Sequence, residues 1–261
     1  MGLMTSLFVG PAAYTPRTGW SVFAAIGAGV LMFIAAALFG AAAAELYTMA
    51  TDLPPARSAS AVLEDPRFLM RLLVWLTAMQ VMLIALTFAA AHLFGSQPVA
   101  MLALRPPARG PRSYVAALVL MLAFLLLYTV MVSLLSPGDL GRDIAPFAKL
   151  IRSDAWWLTL AAVGVGAPLA EELFFRGFLF SALARSRAGL GGATMLTAIT
   201  WAALHAGYSA FGIIEVVLIG FYFSWLLVRT GSLWVPIFCH ATYNSALVLA
   251  LRYLPLPPGV G

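Results

Sequence analysis

Long apolar runs recur along the whole chain, at 20–47, 68–94, 114–135, 156–184, 193–205, 211–228 and 233–253, each closed by Gly, Pro or charge before the next begins. A helix needs about 20 apolar residues to cross about 30 Å of hydrocarbon, and runs of this kind leave no room for a separate soluble domain. The expected fold is therefore all-α, a polytopic transmembrane helix bundle of about seven (6–8) spans. Composition agrees: the 261 residues are 62% hydrophobic and only 10% charged, with a mean hydropathy of +0.96.

The first run is rich in small residues (Gly27, Gly29, Ala35 to Ala37, Ala41 to Ala44), which suits close helix packing where lipid gives no hydrophobic drive. Segments 52–67, 95–113 and 136–154 hold Pro and mixed charge and read as interfacial loops. The two halves differ in character. Residues 1–154 carry helices and loops without a motif, residues 155–253 hold nearly every intramembrane polar group, and 254–261 form a short tail.

Net charge is +5, from 14 Arg and one Lys against ten acids. Arg17, Arg105, Arg109, Arg112, Arg185, Arg187 and Arg229 fall in acid-free loops on one side of a seven-helix count. Loops on the other side also carry Asp52, Glu64, Asp65, Asp139, Asp143 and Asp154. This pattern reads as topology control rather than nucleic-acid binding, and it leans toward a cytoplasmic N-terminus. The Arg-over-Lys, Ala-rich bias suggests a bacterial inner membrane. Met1, Gly2 and Ser6 fit a myristoylation pattern, which such a host would not use. The first residues, MGLMTSLFVG, lack a basic n-region ahead of an apolar core, so a cleavable signal is not expected. Cys239 is the sole cysteine, so no intramolecular disulfide exists.

In APLAEELFFRGFLF, residues 167–180, two carboxylates and a guanidinium interrupt a span. A charge at the centre of a membrane helix costs about 2.5–3.5 kcal/mol on insertion scales, so such groups face the bundle interior or a water-filled cavity. At 100° per residue, Glu172 and Arg176 lie within about 40° of each other while Glu171 points about 140° away. Glu172 can thus be neutralised locally and Glu171 left to meet other helices, while a second reading lets the forked donors of Arg176 bridge both carboxylates. Pro168 after Gly164 and Gly166 suggests a break, with a new helix starting at Pro168 and Glu171 in its first turn.

Two of the three histidines lie in later spans, His205 in TWAALHAG and His240 in IFCHATYNSA. Trp201 shares a helix face with His205, and His240 shares one with Asn244. A carboxylate, two imidazoles and a carboxamide on three helices can surround one buried water. The carboxylate or an imidazole would act as general base, and an imidazole N–H with an Asn amide would serve an oxyanion. Alternatively, Glu171, His205 and His240 are the nitrogen and oxygen donors that zinc takes. Taken singly, each is as readily interhelical glue. His92, near the lipid boundary, reads as incidental. Glu215, about one turn into its span, is either interfacial or a substrate contact.

These residues resemble the CPBP family, the CAAX prenyl proteases of the Ras-converting type together with bacteriocin-processing and Abi-like enzymes. The motifs stand here as Glu171-Glu172-Leu-Phe-Phe-Arg176, Trp201-Ala-Ala-Leu-His205 and His240-Ala-Thr-Tyr-Asn244, in family order over about 155–253. Trp201 replaces the usual Phe. The resemblance implies an intramembrane endopeptidase, classed with metalloproteases, that acts on a membrane-associated protein or peptide. Glu171 and His205 would activate water, His240 and Asn244 would stabilise the oxyanion or hold a metal, and Glu172 and Arg176 would support the site.

Other protease types fit poorly. HExxH is absent, GYSAFG around Ser209 lacks the glycine a rhomboid-like site needs, and every Asp lies in a loop. A different class of reading is a non-catalytic membrane subunit of the same fold that binds another membrane complex. A transporter with a proton relay is a third, although no internal repeat supports it.

Overall fold

The computed structural model describes residues 12–53, 66–95 and 97–255. The helices are α1 (Val22–Ala50), α2 (Pro66–His92), α3 (Arg112–Leu135), α4 (Pro137–Arg152), α5 (Trp156–Arg185), α6 (Gly189–Ala203), α7 (Ala210–Thr230) and α8 (Trp234–Tyr253). Six of them are long and apolar enough to cross a membrane, and α4 and α6 are not. The chain is thus a multi-pass integral membrane protein built as an all-α bundle. The run expected at 193–205 is α6, whose 15 residues reach only about 22 Å at 1.5 Å per residue.

The first two helices pack as a hairpin on a stripe of small residues. Ala25, Gly29, Ala36, Gly40 and Ala44 are buried at spacings of roughly one turn, while Phe23, Leu31, Leu38 and Leu46 on the opposite face are exposed to the position of lipid. A Cβ on Gly40 would lie 2.7 Å from the Trp75 carbonyl oxygen, whereas one on Gly27 would meet nothing within 4 Å. Gly40→Val is therefore expected to lower the unfolding midpoint in detergent, by about 1–3 kcal/mol for overpacking. Gly27→Val should leave it unchanged, and equal shifts in the two variants would refute the contact.

Where 136–154 reads as a loop, the structure has the amphipathic helix α4. Gly138, Gly141 and Pro146 depress its helix propensity, but tertiary burial of Ala148, Leu150 and Ile151 overrides that, with Arg142 exposed on the other face. Its C-terminus is tied to α8: Arg152 Nε donates to the Leu251 carbonyl (3.1 Å), and Arg252 Nη1 donates to the Arg152 carbonyl (2.9 Å). Midway, Asp143 accepts from the backbone N–H (2.7 Å) and hydroxyl (2.6 Å) of Ser209, whose Oγ in turn caps α7 by accepting from Gly212 N (3.0 Å). Ser209→Ala removes the cap and the hydroxyl half of the tether, while the backbone N–H bond to Asp143 remains. It is expected to destabilise by the upper part of the usual 0.5–2 kcal/mol, roughly, for a lost N-cap, read as a fall in melting midpoint. No fall would contradict the tether.

The acid-free basic loops gather at the other end of the bundle. Arg185 Nη1 donates to the Thr18 carbonyl, Arg105 Nε to Gly231 (2.9 Å) and Arg109 Nε to Arg229 (3.2 Å). Gly231 closes α7 with a positive φ of 67°, and a Cβ there would sit 2.8 Å from the Ala13 carbonyl oxygen.

The expected break at Pro168 does not occur. The helix runs unbroken from Trp156 to Arg185, with wide π-type turns at Leu160–Gly166 and Glu172–Leu179 flanking Ala167–Glu171. Widening the helix lets it pass proline without ending. Glu171 is consequently mid-helix and gains no helix N-terminus.

Candidate active site

The charged centre of α5 is sealed from solvent and lipid. Glu172 and Arg176 are both fully buried, and Arg176 Nη1 donates to Glu172 Oε1 at 3.0 Å, the pairing expected from their spacing. The guanidinium lies over the Trp201 ring, 4.6 Å from its centroid, with Phe223 at 5.7 Å, and its Nη2 reaches the Gly220 carbonyl at 3.4 Å. Gly220 is needed at that crossing, because a Cβ on it would lie 2.9 Å from Ala198 Cβ and 3.2 Å from Arg176 Nη2.

His240 joins this centre from α8. Its Nδ1 lies 3.1 Å from Glu172 Oε1, and since the paired carboxylate can only accept, the Nδ1 position carries the proton and Nε2 remains for other work. The sequence places His240 beside Asn244 but gives no sign that its partner is Glu172. Glu172 Oε2 and Arg176 Nε have no hydrogen-bond partner among the described residues.

Glu171 turns away from the ion pair, as its helical angle requires, and accepts from Trp201 Nε1 at 2.6 Å. It is only partly buried. His205 lies just past the end of α6, in the turn at 204–209 rather than on the helix. It still faces Trp201, with ring centroids 5.3 Å apart. Its Nδ1 sits 3.2 Å from the Trp201 carbonyl, which also requires a proton on Nδ1 and leaves Nε2 open. The Trp201–His240 centroids are 5.5 Å apart. One indole therefore gathers Glu171, His205 and His240.

Asn244 lies one turn beyond His240 on the same helix. Its Nδ2 donates to the Val163 carbonyl at 3.0 Å, and Ser245 Oγ donates to Gly164 at 3.3 Å. Glu215 is hydrogen-bonded to Tyr243 of α8, so it meets the site's own helix and not only the interface. Tyr208, in the turn after His205, continues the polar line toward α4, its ring 5.3 Å from that of His205. Burial pushes the Tyr208 hydroxyl up to about 12, and the carboxylates of Glu171, Asp143 and Glu215 push the same way. It is a neutral donor at any working pH. His92 is exposed at the end of α2. Tyr208, Tyr243, Ser245 and Asp143 escape a reading based on intramembrane charge, since hydroxyls and loop acids are too common to stand out.

Among the described residues, no group of three His, Cys, Asp or Glu side chains is placed to hold a metal ion. Glu171 is committed to an indole and the His240 Nδ1 to Glu172.

Residues 153–246 match the model of the family described as Type II CAAX prenyl endopeptidase Rce1-like. The chain is also 28% identical over 92 residues to the "Putative membrane peptidase YdiL" of Bacillus subtilis (strain 168). That match spans 35% of this chain and 36% of the relative, so only about a third of either protein is compared. No solved structure matches the chain. Residues 153–246, the segment that contains Glu171, Glu172, Arg176, Trp201, His205, His240 and Asn244, are thus similar to the Rce1-like endopeptidases.

Proposed function

We propose that this protein is an intramembrane endopeptidase that hydrolyses a peptide bond of a membrane-associated protein or peptide. The observation that carries the reading is the division between two adjacent carboxylates. Glu172 is consumed by Arg176 and His240, while Glu171, partly exposed in mid-span, holds one indole N–H beside two imidazoles. A carboxylate kept in lipid without its own ion pair calls for a task.

In this reading Glu171 takes a proton from water as the water oxygen bonds to the scissile carbonyl carbon. His205 Nε2, the nitrogen left open, orients that water. The carbonyl oxygen becomes an oxyanion, and His240, held by Glu172 through Nδ1, faces it with Nε2, which donates to it when that nitrogen carries a proton. The C–N bond then breaks as Glu171 returns the proton to the departing amine, giving one carboxylate and one amine product. Glu172 and Arg176 hold His240 in place. Membrane lipid surrounds the substrate as it enters. The end bearing Arg105, Arg109, Arg185 and Arg229 is cytoplasmic by the positive-inside rule, in a bacterial inner membrane, with the N-terminus on that side.

The test is a comparison of membrane-protein N-termini in a deletion strain complemented with wild type or with Glu171→Ala. Wild type should restore a set of cleaved termini that Glu171→Ala does not. Equal restoration would overturn the assignment and leave a non-catalytic membrane subunit that binds another complex. Chelation of the purified protein is the second arm: activity that disappears and returns only with zinc would show that a metal activates the water.

A further inference from the structure

Proline at position 168 has no N–H, so the carbonyls that would have received it need other donors. In α-helical register that acceptor is Gly164 and in π register it is Val163. The neighbouring N–H, from Ala167, is already given to the Ala162 carbonyl. Val163 thus loses both of its in-helix donors, and Gly164 loses its regular one, at a depth where water is scarce. These are the two carbonyls that α8 reaches, Asn244 Nδ2 to Val163 at 3.0 Å and Ser245 Oγ to Gly164 at 3.3 Å. The approach is close: a Cβ on Gly164 would lie 2.7 Å from Ser245 Oγ and 3.3 Å from Ser245 Cα.

We propose that Asn244 and Ser245 are positioning residues that stand in for the backbone donor Pro168 lacks, and so hold Glu171 and Glu172 in register against Trp201 and His240. A π turn holds one residue more than an α turn, so tightening it would rotate everything beyond by about 100°. That rotation would carry Glu171 off the Trp201 indole and Glu172 off His240. Asn244 therefore acts on the chemistry through the helix. An oxyanion donor would have an amide free for substrate, whereas this one is tied to a main-chain carbonyl.

The helix-register role stands on the backbone geometry alone, and the link to catalysis rests on the proposed peptidase reading. A double-mutant cycle separates them. Asn244→Ala with Ser245→Ala is made in the wild type and in Pro168→Ala, where the missing N–H returns. The melting midpoint in detergent should fall on losing both side chains, and the fall should be at least halved in the Pro168→Ala background. Equal falls in the two backgrounds would overturn the proposal whatever the enzyme does. With a peptidase assay, the drop in kcat should likewise shrink in the Pro168→Ala background. A drop of about 10²–10³-fold, the usual cost of one oxyanion donor, that persists unchanged would make Asn244 a catalytic donor instead. Should the double variant fail to accumulate, Ser245→Ala alone runs the same cycle, and Ser245→Thr, which keeps the hydroxyl, should recover the midpoint.

Discussion

Arg176→Met is expected to destabilise the folded protein by about 3–5 kcal/mol, the cost of removing one partner from a buried ion pair. The arginine is fully buried, and its loss strands the Glu172 carboxylate, also fully buried, with His240 as its remaining partner among the described residues. Glu172 Oε2 already lacks a protein donor among the described residues. The guanidinium also fills the space between the Trp201 and Phe223 rings, and methionine recovers part of that packing but none of the charge. Replacing both members, Glu172→Leu with Arg176→Met, should cost less than Arg176→Met alone, because apolar groups leave no orphaned charge behind. Midpoints from thermal or denaturant unfolding in one detergent decide it. A single variant within about 0.5 kcal/mol of wild type, the range of an ordinary surface change, would mean that the pair contributes nothing to the fold.

What the sequence made legible was whatever membrane burial forces. The spans follow from the length of apolar runs, and the Glu172–Arg176 pair follows because two charges one turn apart in lipid have no cheaper arrangement. That Glu171 looks elsewhere follows from the same helical angle, and its acceptance from Trp201 on α6 agrees with it. The partner of His240 was not legible, because the contact between α8 and Glu172 depends on how helices cross. Along α4, Gly138, Gly141 and Pro146 argue against helix locally, while the burial that overrides them is set by α3, α7 and α8. His205 falls past the end of α6 because the chain turns at 204–209, a boundary that apolar composition does not mark. Ser209, weighed for a serine site, is the cap of α7. The wide turns around Pro168 were hidden for the same kind of reason. A one-residue change of register leaves no compositional trace, and the polar groups that stabilise it, Asn244 and Ser245, come from a helix about 80 residues away.

Glu171→Gln should separate activity from stability in a way that no other substitution in this site does. Glutamine keeps the shape and still offers an oxygen to the Trp201 N–H, now 2.6 Å from Oε2, so the helix and the aromatic group around it need not move. What disappears is the ability to accept a proton from water, and kcat should fall by about 10²–10⁴, the usual contribution of a general base. The midpoint should stay within about 0.5 kcal/mol of wild type, because Glu171 is partly exposed and Arg176 is bonded to its neighbour. Glu172→Gln should show the reverse emphasis, a clear loss of midpoint as Arg176 is left buried without its counter-ion and His240 loses the acceptor that fixes its ring. Its effect on rate would come through a displaced His240. Cleavage rates on one membrane substrate, read beside melting curves for both variants, give a crossed pattern if the two carboxylates divide the work. Parallel losses in the two variants, or a Glu171→Gln protein that still cleaves at the wild-type rate, would mean that Glu171 is another structural charge and that water is activated elsewhere.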